Sequence, residues 1–321
     1  MKIDLSQRLQ ESLGVSSDQL ARLVARAPYA YKVYEIKKRS GGMRTIAQPA
    51  RETKFIQIWL IENIFKELPV HESATAYGKG SSILKNAVAH KDNRFIAKFD
   101  FRNFFPSIKY EDLVEHFTRH LSGVVSDADV KMMARIACMR SKTNGRMQLS
   151  IGAPSSPILS NSIMFEFDSQ ISAWCVEQGI VYTRYADDLA FSTDVIGATA
   201  KIEPIIRQAL RGINYPALQI NNKKTVQISK KFQRRVTGLV INNEGDISLG
   251  RDRKREISSL VHKFTLGGLA DDDIFRLQGL LGFAKDVEPQ FIVRLSAKYT
   301  AEIINVILKL RKPPKLKSDF N

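Results

Sequence analysis

Residues 180–192 read Ile180-Val181-Tyr182-Thr183-Arg184-Tyr185-Ala186-Asp187-Asp188-Leu189-Ala190-Phe191-Ser192. The runs 180–186 and 189–192 are strand-like. Two adjacent carboxylates stand between them, and aspartate favours turns. The expectation is a hairpin that holds Asp187 and Asp188 at the end of a sheet. Carboxylate oxygens grouped there suit hard divalent cations such as magnesium. Two such ions, roughly 3.5–4 Å apart, activate one oxygen and stabilise a leaving one. Taken alone, Asp-Asp is also simply a good turn.

A second carboxylate stands in a comparable setting. Asp100 closes the apolar run Phe95-Ile96-Ala97-Lys98-Phe99, and Phe101-Arg102-Asn103-Phe104-Phe105-Pro106-Ser107-Ile108 follows. Residues 94–100 are expected to form a strand, with Phe95, Ala97 and Phe99 alternating. Asp187 lies 87 positions further on, so a shared site needs a bridge across the fold. A capping or turn role is the plainer alternative for Asp100 by itself.

Outward from these stretches the chain mixes helix and strand. In residues 1–28, Asp4 is placed to cap a turn carrying Leu5, Leu9 and Leu13. Ser16 or Ser17 is placed to cap a second with Leu20, Leu23 and Val24, and Pro28 stops it. Residues 31–38 and 43–48 flank Ser40-Gly41-Gly42, a hairpin signal carrying Lys32, Lys37, Lys38, Arg39 and Arg44. Helical pattern follows at 52–67, 81–91, 110–120 and 126–139. One long helix is expected from Pro157, which suits a first turn, to Gly179, a reasonable C-cap. Another spans 196–211. Short strands fit 219–220, 225–229, 236–241 and 247–248. Residues 251–264, 271–284 and 289–310 are helical, so 250–310 reads as an all-α unit before a basic tail at 311–321. The stripe Phe291, Leu295, Tyr299, Ile303, Val306 and Leu310 is expected to face a helix core.

With 321 residues the chain has room for about two domains and a sizeable core. A hydrophobic content of 44% excludes a fully disordered chain. No apolar run approaches the ~18 residues of a membrane span. Met1-Lys2-Ile3-Asp4-Leu5-Ser6-Gln7 lacks the apolar stretch of a signal peptide. The chain reads as soluble and cytoplasmic. Cys138 and Cys175 stand alone, which argues against a disulfide framework or structural zinc. Lys plus Arg number 49 against 33 Asp plus Glu, a net charge of +16. A basic surface gains affinity for polyanions by releasing their counterions; solubility is the bland alternative. Lys223, Lys224, Lys230, Lys231, Arg234 and Arg235 lie in one segment without an acid, and Arg251, Arg253, Lys254 and Arg255 continue the theme.

Asp100 with its aromatic neighbours, Gly152-Ala153-Pro154-Ser155-Ser156-Pro157 and Tyr185-Ala186-Asp187-Asp188 occur in the order found in reverse transcriptases. The chain resembles those of bacterial retrons in particular. Asn86-Ala87-Val88-Ala89-His90 is similar to their NAxxH element, and Val236-Thr237-Gly238 to their VTG triplet. The resemblance spans residues 30 to about 250. It implies an α+β right-hand polymerase fold with fingers, an antiparallel-sheet palm and an all-α thumb. The fingers would take residues 1–92 and an insertion at 117–150, the palm 93–116 and 151–249, and the helical thumb with its basic tail 250–321.

The resemblance also implies roles. Asp100 and Asp187 would ligate two Mg2+ ions, supported by Asp188 and the Phe101 carbonyl. Phe105 would lie against the sugar 2′-position and favour dNTPs; a core aromatic is its alternative. Arg44, within Arg44-Thr45-Ile46-Ala47-Gln48-Pro49, would clamp the triphosphate, where a cation stabilises developing charge. One of Lys37, Lys38 and Arg39 would assist. Gly152 would let backbone approach template or nucleotide beside a helix N-terminus. Many relatives carry Gln before this glycine, whereas position 151 is Ile. Asn86 and His90, four apart and so on one helical face, would contact RNA, as would Thr237. Structural roles are the alternatives for all three. Lys223, Lys224, Arg251 and Arg255 would belong to a duplex-binding surface.

The implied activity is RNA-directed DNA polymerisation with dNTPs. A structured noncoding RNA would be primer and template, and the product a branched RNA–DNA hybrid (msDNA). An effector protein in antiphage defence and no membrane contact complete the expectation. No RNase H domain is expected after about residue 250. A group II intron-like reverse transcriptase and a non-catalytic RNA-binding protein on a polymerase scaffold are the alternatives.

Overall fold

A computed structural model of the chain describes residues 4–38 and 41–310. Arg39 and the basic tail at 311–321 lie outside the described residues. Eleven strands form among the described residues. They are β1 Tyr31–Lys37, β2 Met43–Pro49, β3 Phe95–Asp100, β4 Met139–Arg140, β5 Met147–Gln148, β6 Val181–Tyr185, β7 Asp188–Thr193, β8 Val226–Ser229, β9 Arg234–Val236, β10 Leu239–Ile241 and β11 Ile247–Ser248. No helix among the described residues is long and apolar enough to cross a membrane.

The chain divides into two units. The first holds Met1–Ser82 and Asn93–Ile228. Its centre is a four-stranded sheet in the order β6-β7-β3-β8, with β6–β7 and β7–β3 antiparallel. Strand β3 is central because Ile96, Ala97 and Phe99 bury both of its faces. Phe101, Phe104, Phe117, Phe167 and Phe191 extend the same core. Each fully buried large side chain contributes about 1.5–3 kcal/mol, so this core outweighs any surface pairing. The N-terminal helices open as expected. Asp4 accepts from the Gln7 N–H at 2.9 Å, and Ser16 forms a capping box with Gln19. The basic hairpin is β1–β2, in register from Tyr31–Pro49 to Lys37–Met43.

The second unit joins Ile83–Asp92 to the chain from Ser229 onwards. It contains the sheet β11-β10-β9 and the helices Arg251–Thr265, Asp271–Val287, Pro289–Tyr299 and Ala301–Lys309. This moves the expected boundaries. Residues 83–92 leave the first unit, and 229–249 join the helical end. Side-chain bonds explain it. Thr237 donates to the Ile83 carbonyl at 3.1 Å, and Arg234 to the Lys91 carbonyl at 3.4 Å.

Several elements differ from expectation for identifiable reasons. The helix expected over 157–179 is two, Ser156–Ile163 and Phe165–Glu177. The break falls where the Arg184 guanidinium donates to the Asn161 carbonyl at 3.4 Å, intruding on the helical ladder. The strand expected at 236–241 is a hairpin. Thr237 and Gly238 both take positive φ, 46° and 81°, as a two-residue type I′ turn requires. The helix expected over 289–310 breaks at Thr300, φ 73°. The stripe is therefore not continuous: Phe291 and Leu295 are buried, but beyond the break Ile304 and Ile307 are, and Val306 is exposed. Residues 219–220 form only an isolated bridge between Ile220 and Phe101. The short β4–β5 hairpin was not expected.

Candidate active site

The hairpin β6–β7 closes with Tyr185 opposite Asp188, so the turn is Ala186-Asp187 and Asp188 opens β7. Ala186 takes φ 59°, the left-handed conformation such a tight turn needs. On its other edge β7 pairs with β3, and the register sets Asp100 opposite Asp188. Pairing alone therefore brings Asp100, Asp187 and Asp188 to one sheet end. The Phe101 N–H donates to the Asp187 carbonyl at 3.1 Å and ties the two strand ends together.

Asp100 is buried and Asp187 half-buried; Asp188 is exposed as a residue, but its carboxyl gives up hydration to the site. The loop after the expected 219–220 strand embraces Asp100. Asn221 donates its backbone N–H to the Asp100 carbonyl at 2.7 Å and its side-chain amide to Oδ1 at 3.1 Å. Lys224 Nζ donates to Oδ2 at 2.7 Å. Asn221 carried no signal of this in the sequence, and Lys224 was expected on a duplex surface.

The acids crowd one another. Loss of hydration and then the Asp100 charge raise Asp187 above the ordinary carboxylate value. Loss of hydration, then Asp187 and Asp100, push Asp188 up to about 7. For Lys224, desolvation pulls downward, but the hydrogen bond and charge of Asp100 prevail and leave it raised. Among the described residues no three Asp, Glu, His or Cys side chains converge as a finished metal cage; the oxygens of Asp100 face Asn221 and Lys224. The donor set nevertheless fits a divalent cation. It offers only hard oxygens, and their mutual repulsion is what such a charge relieves.

Behind the turn lies a network with no counterpart in the sequence reading. Arg184 and Asp168 are both fully buried and closed at 2.6 Å. Tyr182 donates to the same carboxylate at 2.7 Å. Arg184 Nη1 also donates to the Ala186 carbonyl at 3.1 Å and to Asn161 Oδ1 at 3.2 Å. Asn161 in turn donates to the Ala76 carbonyl at 2.8 Å. An arginine inside an apolar strand was the one available clue.

The other expected residues fall as follows. Arg44 lies exposed on β2, and its charge lowers Asp187. Phe105 is half-buried beside Phe104 and Tyr77, with ring centroids 5.5 and 6.5 Å away. Gly152 takes φ 118°, and a Cβ there would meet the Ala47 carbonyl oxygen at 3.0 Å. The Ala47 N–H donates to the Ile151 carbonyl at 2.8 Å, so position 151 anchors β2 through its backbone. The Ser155 and Ser156 hydroxyls are buried with no hydrogen-bond partner among the described residues.

In the second unit two expectations of RNA contact need correction. Asn86 is 1% and His90 0% exposed, so both side chains face inward. Burial lowers His90 to about 4 and keeps it neutral. Thr237 is half-buried, and its hydroxyl donates to the Ile83 carbonyl. The basic stripe loses Arg234, fully buried, whose guanidinium also meets the Asn242 carbonyl. Lys223, Arg251 and Arg255 remain exposed.

Comparison with known proteins agrees with this arrangement. The family model described as "Reverse transcriptase (RNA-dependent DNA polymerase)" matches residues 36–241. The chain is 41% identical to the Retron Ec83 reverse transcriptase of Escherichia coli, over 96% of this chain and 98% of that protein. It is 33% identical to the Retron Ec73 reverse transcriptase of Escherichia coli, over 92% and 95%. The chain belongs to the retron reverse transcriptase family. The enzyme is therefore an RNA-directed DNA polymerase with the α+β right-hand polymerase fold. Its family depends on divalent metal, which agrees with the oxygen-only donor set at the sheet end.

Proposed function

We propose that this reverse transcriptase copies a structured noncoding RNA that is both template and primer, yielding a branched RNA–DNA hybrid (msDNA), and that it serves with an effector protein in antiphage defence. The single observation that carries the catalytic part is the register that sets Asp100 opposite Asp188 beside the Ala186-Asp187 turn. Likeness to the named Escherichia coli retron enzymes supports the RNA part. In this reading Asp100 and Asp187 hold two Mg2+ ions, with Asp188 and the Phe101 carbonyl in support. When bound, such ions lower the pKa of an attacking hydroxyl and neutralise the departing pyrophosphate. The carboxylates orient that hydroxyl towards the α-phosphate of a dNTP. Arg44 draws the triphosphate, aided by one of Lys37, Lys38 and Arg39, and Phe105 excludes a 2′-hydroxyl. Lys224 gives Asp100 its counter-charge, a part that a bound cation would take over. Arg251, Arg255 and Lys223 attract phosphates without reading sequence. The first unit supplies fingers and palm, and the helices after residue 250 the thumb.

The test is synthesis on the RNA encoded next to the gene, with dNTPs and Mg2+. The expected product is DNA joined to RNA through a 2′ branch, so a branched stub survives ribonuclease. Linear DNA alone from a folded, active enzyme would contradict the branched-product reading.

A further inference from the structure

We infer that Tyr77 determines sugar specificity by fixing the ring of Phe105. This rests on the reading of Phe105 as the residue that faces the 2′-position. The two rings lie 6.5 Å apart at 53°, within the tilted geometry aromatic pairs prefer. Phe105 also packs on Phe104, which is buried and stacked on Phe101 at 5.8 Å. Phe104–Ser107 is only one turn of helix, too short to hold a side chain by its own cooperativity. The second ring is what leaves Phe105 a single position.

Tyr77 is placed for this at some cost. Its φ is 66°, sparsely populated for a bulky residue. Such a conformation persists only where the surroundings over-determine it, and it concentrates at functional sites. Here the surroundings are explicit. Asn161 and the Gly78 N–H both donate to the Ala76 carbonyl, at 2.8 and 2.9 Å. The Thr75 N–H donates to the Arg184 carbonyl at 2.8 Å. Asn161 and Arg184 belong to the network that also holds the Ala186 carbonyl. One buried cluster thus sets the height of both the acid turn and the Tyr77 ring. Yet Tyr77 stays 46% exposed, so core packing does not account for its conformation. With the ring in place Phe105 cannot rotate from a 2′-hydroxyl. Without it, Phe105 gains a second rotamer and a ribonucleotide gains room, while a deoxynucleotide gains nothing.

The experiment measures single-nucleotide incorporation on an RNA template with a DNA primer, comparing kcat/KM for dATP and ATP. Tyr77→Ala is expected to cut the dATP:ATP preference about threefold to tenfold, the worth of one aromatic pair. Tyr77→Phe, which keeps the ring, is expected to hold the parent ratio. Phe105→Ala, run alongside, is expected to cut it further than Tyr77→Ala. If Phe105→Ala leaves the ratio unchanged, the reading of Phe105 fails. If Phe105→Ala lowers it but Tyr77→Ala reduces both substrates equally, Tyr77 is only structural and the inference is overturned. Tyr77→Leu covers a misfolded alanine variant: a folded, active Tyr77→Leu enzyme with the parent ratio overturns it too.

Discussion

Two ion pairs on the central sheet are nearly the same length and otherwise opposite. Arg184–Asp168 closes at 2.6 Å with both side chains fully buried. Lys224–Asp100 closes at 2.7 Å with the lysine side chain 58% exposed. The first pair is part of the interior: Tyr182, Asn161 and the Ala186 carbonyl take up its remaining bonding capacity. The second keeps one partner in water, so Asp100 can exchange its counter-ion without stranding a buried charge. The difference teaches how one sheet end fixes one carboxylate with wholly buried partners and leaves another paired to a hydrated one. Distance alone does not separate a frame from a working group; hydration of the partner does.

The comparison breaks most sharply at Asp100 itself. Asp100→Asn is expected to lower primer extension on the order of 10³-fold, the scale of losing a preorganised charge-stabilising group. Its melting temperature should fall little, because Asn221 can still donate to the single amide oxygen while the exposed Lys224 ammonium turns to water. Equal loss of stability and activity would make Asp100 a frame residue. Next comes Asp168→Ala, which strands the Arg184 guanidinium. It should cost about 3–5 kcal/mol in urea unfolding. A loss below about 1 kcal/mol would show that the buried pair is dispensable.

Asp188 sharpens the contrast through pH. Its carboxyl is raised from an ordinary 3.8 to about 7 in the fold. A group shifted upward stabilises the fold below its unfolded pKa and loses that contribution as pH rises through the folded one. Metal-free enzyme should therefore lose stability relative to Asp188→Asn between about pH 4 and pH 7. The melting-temperature gap should widen across that window and narrow when Mg2+ is added. A pH-independent gap would remove the crowding argument. The smallest effect belongs to Lys224→Ala. A pair with so exposed a lysine contributes less than about 1 kcal/mol, and unfolding should register no more.

The acid cluster was legible in the sequence because its determinants are local. Strand runs on either side of Asp187-Asp188, and an apolar run ending at Asp100, fix hairpin and strand end without tertiary knowledge. The turn itself slipped by one residue: it was expected at Asp187-Asp188 and is Ala186-Asp187, with Ala186 in the left-handed conformation. What stayed hidden depends on distant partners. Nothing near Asn221 or Lys224 announces Asp100, 121 and 124 positions away. The break before Phe165 comes from Arg184, a side chain of another element. Asn86 lies in the helix Ile83–Val88 and His90 in the turn after it, not on one helical face as expected, and periodicity cannot say whether such residues meet RNA or the interior. Burial answers it for this chain.

The central claim is that the sheet end carrying Asp100, Asp187 and Asp188 is the polymerase centre. The most direct measurement is labelled dNTP incorporation by Asp187→Asn on an RNA template with a DNA primer and Mg2+, alongside duplex binding by the same protein. The expected result is incorporation reduced to background with binding close to that of the parent. Incorporation at the parent rate by a folded Asp187→Asn enzyme would contradict the account.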